Sequence, residues 1–247
     1  MLRAIDINCD LGEGCPNDAE LMRLISSANI ACGFHAGDED TIRRTVQLAI
    51  ENGVAIGAHP GYADRENFGR TAMSLAPTEV FEIVAKQIDL LKRICDSEGG
   101  ELHHVKPHGA LYNQAVKDQG LSSAIARAVK EMDGELTLYG LPGSFLISEA
   151  QAAGLTTASE VFADRTYQDD GTLTPRSMPN AFVTDDESAV AQVLQMVEQQ
   201  TVISTSGQVV PLKAETVCIH GDGDHAVLFA AKIRSTLIQR GVEIRAS

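Results

Sequence analysis

Short apolar, β-branched runs alternate along the chain with longer stretches that carry an apolar residue every three or four positions. The short runs begin near Ala4, Ala28, Ala55, Leu102, Thr137, Thr156 and Thr216 and predict seven strands. The stretches between them predict helices with definite ends. Asp38 caps one whose stripe is Ile42, Val46 and Ile50 before Gly53, and Pro77 opens another that carries Val80, Val84, Ile88 and Leu91 and stops at Gly99-Gly100. Further helices are read over 122–132, 144–153, 187–199 and 226–240. Repeated strand and helix units require a parallel sheet, because parallel neighbours need a crossover between them.

Residues 165–215 break this rhythm. The stretch is far longer than an ordinary connection and holds a turn at Asp169-Asp170-Gly171, the helix from Glu187, and a small hairpin of Val202-Ile203 with Val209-Val210 around Gly207. The expected organisation is one domain over 1–247, with an insertion at about 165–215 between the sixth and seventh strands.

Side-chain parity separates an open sheet from a closed barrel. In the first run Ile5, Ile7 and Cys9 face one way and Asp6, Asn8 and Asp10 the other. His104, Lys106 and His108 oppose Val105 and Pro107 in the fourth, and Cys218, His220 and Asp222 oppose Val217 and Ile219 in the seventh. Asn29, His59, Tyr139, Glu160 and Asp164 continue the polar parity in the remaining runs. Polar groups on one face of most strands need one shared polar space, which a barrel lumen supplies and a helix-covered flat sheet does not. The fold class is therefore α/β, a seven-stranded parallel (β/α) barrel.

Composition removes several classes of function. With 20 basic and 34 acidic residues the formal net charge is -14, so nucleic acid and anionic membrane surfaces would be repelled. No apolar run reaches the length of a membrane span, and the first residues lack the apolar stretch of a signal peptide, which reads as a cytoplasmic chain. Five cysteines without CxxC spacing argue against a disulfide framework or a structural zinc knot. Cys9 and Cys32 read as small apolar groups facing helices. There is no GxxxxGK[ST] loop and no strand-linked GxGxxG, so the chain carries no nucleotide motif of its own.

Working groups of βα barrels sit where strands end. Six polar clusters occupy such positions here, among them Asp10-Leu11-Gly12-Glu13, Gly57-Ala58-His59-Pro60, Lys106-Pro107-His108-Gly109 and His220-Gly221-Asp222. At about 3.3 Å per residue, His104 and His108 stand roughly 13 Å apart and cannot share a metal. Rise alone places Asp10, His35, His59, His108, Asp164 and Asp222 in a top layer, with Asn8, Lys106, Tyr139 and His220 about 7 Å below. Lumen carboxylates outnumber Lys106, and a buried surplus needs protons, a metal or hydrogen bonds. A lone inward His is more often a hydrogen-bonded core residue than a ligand; the number of them gathered here exceeds what packing explains.

The same motifs carry a resemblance. Asp6-Ile7-Asn8 with Asp10-Leu11-Gly12-Glu13, the stretch from Ser27 to Asp38, Phe68-Gly69-Arg70, Val105-Lys106-Pro107-His108-Gly109-Ala110-Leu111-Tyr112-Asn113, and Glu160-Val161-Phe162-Ala163-Asp164-Arg165 closely resemble the LamB/YcsF family, in order over essentially the whole chain. One departure is a shorter loop after Glu13. The resemblance implies a barrel of the glycoside hydrolase and deacetylase type. It also implies ATP-dependent opening of the lactam of 5-oxoproline (pyroglutamate) to L-glutamate, with 5-oxoprolinase subunits B and C as partners and ATP handled by the complex. On that basis Lys106, His108, His59 and Asp10 are the expected catalytic groups, with Lys106 on the substrate carboxylate or activated oxygen and His108 or His59 as base. Asn8, Asn29, His35, Tyr139, Glu160, Arg165 and His220 are expected to bind substrate. Asp10, His59 and Asp222 are the candidate ligands of a divalent metal. The other readings are a metal-dependent amidohydrolase or deacetylase working without ATP, and a non-catalytic subunit that binds a small acid.

Overall fold

The computed structural model describes residues 3–220 and 226–247. Seven parallel strands, β1 (Arg3–Leu11), β2 (Ser27–Ala31), β3 (Ala55–His59), β4 (Leu102–Val105), β5 (Thr137–Gly140), β6 (Thr156–Phe162) and β9 (Thr216–Ile219), pair in that order. β1 also pairs with β9, from Asp6 opposite Thr216 to Cys9 opposite Ile219, and this closes the sheet into a (β/α)7 barrel. Ile5, Ile7, Cys9 and Leu11 of β1 are buried against the helices, while Asp6 and Asn8 on the other parity are buried in the lumen. Both faces of the sheet are therefore covered, one with an apolar layer and one with a polar one.

The helices follow from local signals. α2 (Glu39–Asn52) starts where the Asp38 carboxylate accepts the Thr41 backbone N–H and stops at Gly53, whose φ of 65° suits glycine. Its buried face is Ile42, Thr45, Val46 and Ala49; Ile50, expected in the stripe, lies at the edge of that face and is exposed. α3 (Pro77–Glu98), α5 (Gln119–Met132), α6 (Phe145–Ala152), α7 (Asp186–Gln199) and α8 (Ala226–Gln239) surround the sheet. Three elements have no strong sequence signal: the short helices α1 (Asp18–Met22) and α4 (Gly109–Ala115), and β10 (Val242–Ile244), which pairs parallel with the first three residues of β1. Among the described residues no helix is long and apolar enough to cross a membrane.

Between β6 and β9 the chain forms α7 and an antiparallel hairpin of β7 (Thr201–Ile203) with β8 (Val209–Pro211). Gln192 of α7 donates to the carbonyls of Phe162 and Arg165, and the buried Tyr167 hydroxyl accepts the Phe162 N–H at 2.7 Å. These bonds fix the segment beside the C-terminal end of the barrel.

Pairing is staggered around the sheet. Asp10 stands opposite Asn29, Asn29 opposite Gly57, and Gly57 opposite His104, with an irregular step between Ile56 and Gly57. Following the register from β1 to β4 thus leads from near the top of one strand to near the bottom of another, as the tilt and stagger of a closed barrel require. Gly57 makes room for this arrangement: a Cβ there would lie 2.0 Å from His104 Nε2.

Candidate active site

A cavity opens at the C-terminal ends of the strands, and Asp10, Glu13, His59, Lys106, His108 and His220 line it together with Tyr112 and Arg176. At its base lies Lys106, buried, with Nζ 3.0 Å from Asp10 Oδ1, 2.7 Å from Glu160 Oε1 and 3.1 Å from Asn8 Oδ1. Burial disfavours the ammonium, but Asp10 and Glu160 outweigh it and hold Lys106 well above its ordinary pKa. Burial likewise acts to raise Asp10, yet His59 and Lys106 hold its carboxyl well below the usual range. A charged lysine between carboxylates is the electrostatic centre of the mouth.

Above it stands a group of imidazoles. His59 Nε2 is 3.3 Å from Asp10 Oδ2, and His59 Nδ1 lies 2.7 Å from the Lys106 carbonyl. His108 Nδ1 is 2.9 Å from His59 Nε2, and its Nε2 is 2.8 Å from the Phe68 carbonyl. His35 stacks on His108 with ring centroids 3.8 Å apart. Burial, then the neighbouring His59 and His35 rings, push His108 well below the ordinary imidazole value, and burial lowers His35. On the far wall His220 Nδ1 is 2.8 Å from Asp164 Oδ2 and Arg176 Nη2 is 3.1 Å from His220 Nε2. Burial opposes a charge on His220, but Asp164 raises its pKa overall.

Several expected positions need correction. Tyr139 does not face the mouth: it stacks on His104 at 4.2 Å and its hydroxyl lies 3.3 Å from Ser27 Oγ, deep in the lumen beside Asp6. Asn8, Asn29 and Glu160 lie beneath Lys106 and Asp10, not in the cavity wall. Asn29 donates to Asn8 and Asp10 at 2.8 Å each, and Asn8 donates to Thr216. Lys106 and His220 belong to the upper layer, because counting rise along separate strands ignores the stagger between them. His35 lies behind His108 instead of lining the cavity. Arg165 does reach the cavity wall, but its guanidinium donates to the carbonyls of Ala181 and Thr174. Burial and then Arg176 lower its pKa to about 10.

The candidate metal set also changes. Asp222 lies outside the described residues, and the group that converges is Glu13, His35, His59 and His108, with ligand atoms within 4.8 Å of one another. Asp10, Cys218 and His220 form a second such group. There, however, Lys106 Nζ stands 3.1 Å from Cys218 Sγ and 3.0 Å from Asp10 Oδ1, so a cation already occupies the space. Glu13, Tyr112 and Arg176 are the site residues that strand parity misses. Glu13 follows Gly12 in a loop, where alternation has no meaning; Tyr112 lies on α4; and Arg176 lies in the segment between β6 and β9.

Comparisons with known proteins agree with one another. The model of the LamB/YcsF family matches residues 5–247. The A-subunit of 5-oxoprolinase from Tolumonas auensis is 53% identical over 247 residues, covering 98% of each chain. The crystal structure of a lactam utilization protein from Thermus thermophilus superposes with a TM-score of 0.93 at 44% identity, covering 99% of this chain and 100% of that one. A family 4 carbohydrate esterase from Streptomyces lividans, 12% identical with a TM-score of 0.52 over 98% of this chain and 91% of its own, shares the fold alone.

Proposed function

The chain belongs to the LamB/YcsF family, and from that premise we propose that its barrel mouth opens the lactam of 5-oxoproline to L-glutamate, within a 5-oxoprolinase complex whose partner subunits B and C couple the reaction to ATP. The observation that carries this reading is the buried ammonium of Lys106, held between Asp10 and Glu160 directly below an imidazole group. A lactam is a resonance-stabilised amide, and attack by water places negative charge on its oxygen. A fixed ammonium in a site of low dielectric stabilises that charge far better than water does. With no ion bound, the His59 and His108 nitrogens turned into the mouth serve as base toward the attacking water, with Asp10 linking them to Lys106, and a divalent ion held on those nitrogens would supply that activation in their place. The C–N bond breaks, the water oxygen ends in the new carboxylate, and the ring nitrogen leaves as the amine of glutamate after taking a proton. His220 and Arg176 on the opposite wall suit the substrate's own carboxylate. ATP enters through the partners, in keeping with the lack of a nucleotide motif in this chain, and a divalent metal fits the imidazole group.

The test is glutamate formation from 5-oxoproline by the isolated chain and by the reconstituted complex, each with and without ATP. The expected result is product only from the complex with ATP, reduced about a thousandfold by Lys106→Met in a chain that still assembles. Product from the isolated chain without ATP would replace this reading with an amidohydrolase, and full activity of the Lys106→Met complex would reduce the chain to a binding role.

A further inference from the structure

The two inner imidazoles at the mouth are oriented by main-chain carbonyls. His59 Nδ1 lies 2.7 Å from the Lys106 oxygen and His108 Nε2 lies 2.8 Å from the Phe68 oxygen. A carbonyl only accepts, so each of those nitrogens carries its hydrogen. In the neutral rings the remaining nitrogens, His59 Nε2 and His108 Nδ1, are both acceptors, and they face each other at 2.9 Å. Two lone pairs aimed at one point require a cation between them, either a proton or a metal ion.

The surroundings favour the metal. A shared proton needs two donor atoms, whereas four converge here. Glu13 Oε1 lies 3.3 Å from His35 Nε2, 3.5 Å from His108 Nδ1 and 3.9 Å from His59 Nε2. Ligands about 2.0–2.2 Å from a tetrahedral ion stand roughly 3.3–3.6 Å apart; Glu13 already has that spacing to His35 and His108, while the 3.9 Å pair with His59 has to close and the 2.9 Å imidazole pair to open. Carbonyl-anchored outer nitrogens are the usual support of metal-bound imidazoles, because they fix both tautomer and ring plane. His35 lies flat against His108 with ring centroids 3.8 Å apart, and because imidazole lone pairs lie in the ring plane, the His35 ring has to turn out of this stack to reach the same ion.

We propose that Glu13, His35, His59 and His108 form a binding site for one first-row divalent ion, Zn²⁺ in the first instance. Three imidazoles with one carboxylate suit such an ion and not Mg²⁺ or Ca²⁺, which prefer all-oxygen sets. The ion's place at a catalytic mouth rests on the lactam reading; its binding does not, so the two fail separately. Asp10, at 3.3 Å from His59 Nε2, faces the same group and adds to its negative charge.

The full-length chain, stripped with chelator and dialysed, is titrated separately with Zn²⁺, Co²⁺ and Mg²⁺ by calorimetry, with stoichiometry from elemental analysis and coordination from the visible absorption of Co²⁺. The expected result is one Zn²⁺ or Co²⁺ per chain, intense four-coordinate Co²⁺ bands, and no comparable Mg²⁺ binding. Glu13→Gln, nearly isosteric, and His35→Ala should each weaken Zn²⁺ by about tenfold or more. His104→Ala, a buried lumen imidazole outside the group, should leave it unchanged. Circular dichroism establishes that each variant is folded. Absence of saturable Zn²⁺ binding, equal binding of Mg²⁺, or an equal loss in His104→Ala overturns the proposal. Nitrogen-15 imidazole spectra that show a proton shared by His59 and His108, undisplaced by Zn²⁺, overturn it in favour of the proton.

Discussion

Asp6 and Asp10 stand four residues apart on the same face of β1, both inside the barrel, and their surroundings could hardly differ more. Asp6 is ringed by hydroxyls: Ser26 and Ser27 donate at 2.6 and 2.8 Å, and Thr216 at 2.6 Å. Burial raises its pKa in spite of these bonds. Asp10 is buried too, but His59 and Lys106 stand against it and drive its pKa down. Burial with a polar side chain therefore does not mark a working residue. What separates the floor of the lumen from the mouth is the partner: hydroxyls, amides and the His104 ring stacked on Tyr139 below, the Lys106 ammonium and the clustered imidazoles above. The floor holds the barrel shut; the mouth keeps charge in place for a substrate.

The sharpest way to break this contrast is Lys106→Met. It leaves Asp10 and Glu160 buried without their cation, at an expected cost of about 3–5 kcal/mol in chemical denaturation, and lowers turnover of the complex by about a thousandfold. Adding Glu160→Gln should recover part of the stability and none of the turnover. If the single variant unfolds no more easily than wild type, the mouth is not held by charge.

Gly57→Ala tests the floor. Its new methyl collides with His104, and the expected loss is about 1–3 kcal/mol in thermal unfolding, with kcat/KM of the folded fraction kept. The double variant with His104→Ala should relieve much of that loss; a loss that simply adds would show that the clash is not the cause.

Asp164→Asn gives a smaller, pH-dependent effect of about 1 kcal/mol. Asp164 raises the pKa of His220, so the stabilisation is full below the unfolded imidazole value of about 6.5 and fades as pH rises through the higher folded value. Asp164 is itself lowered, despite burial, by His220, so its share is lost only as the pH falls below about 4. Melting curves of the two proteins should thus differ most between about pH 4 and 6.5 and converge only once the pH has passed the raised folded value of His220. Tyr139→Phe is the mildest change. Removing a hydroxyl 3.3 Å from Ser27 should cost about 1 kcal/mol and leave KM for 5-oxoproline unchanged; a raised KM would return Tyr139 to the substrate.

Much of this arrangement is legible in the chain, and the limits have a physical cause. Alternation in β1, β4 and β9 yields the polar lumen because strand parity is a local property. The caps at Asp38 and Gly53 bound α2 because capping needs only a few neighbouring residues. Height inside the barrel is not local. It depends on how each strand slides against the next, so counting along β5 sets Tyr139 in one layer with Lys106 and His220 whereas stagger sets it below them, beside Asp6. Glu13 escapes for a related reason: it reaches the imidazoles from a loop, where only the folded path of the chain decides direction.

β10 runs beside the first residues of β1, with the Arg245 N–H on the Ile5 carbonyl at 3.1 Å. Both of these outlying segments are thereby tied to the barrel floor, on the side away from the imidazoles. Below Asp6, where β1 has run past the residues it shares with β2 and β9, β10 gives the strand a hydrogen-bonded neighbour and covers an edge to which another strand could otherwise add.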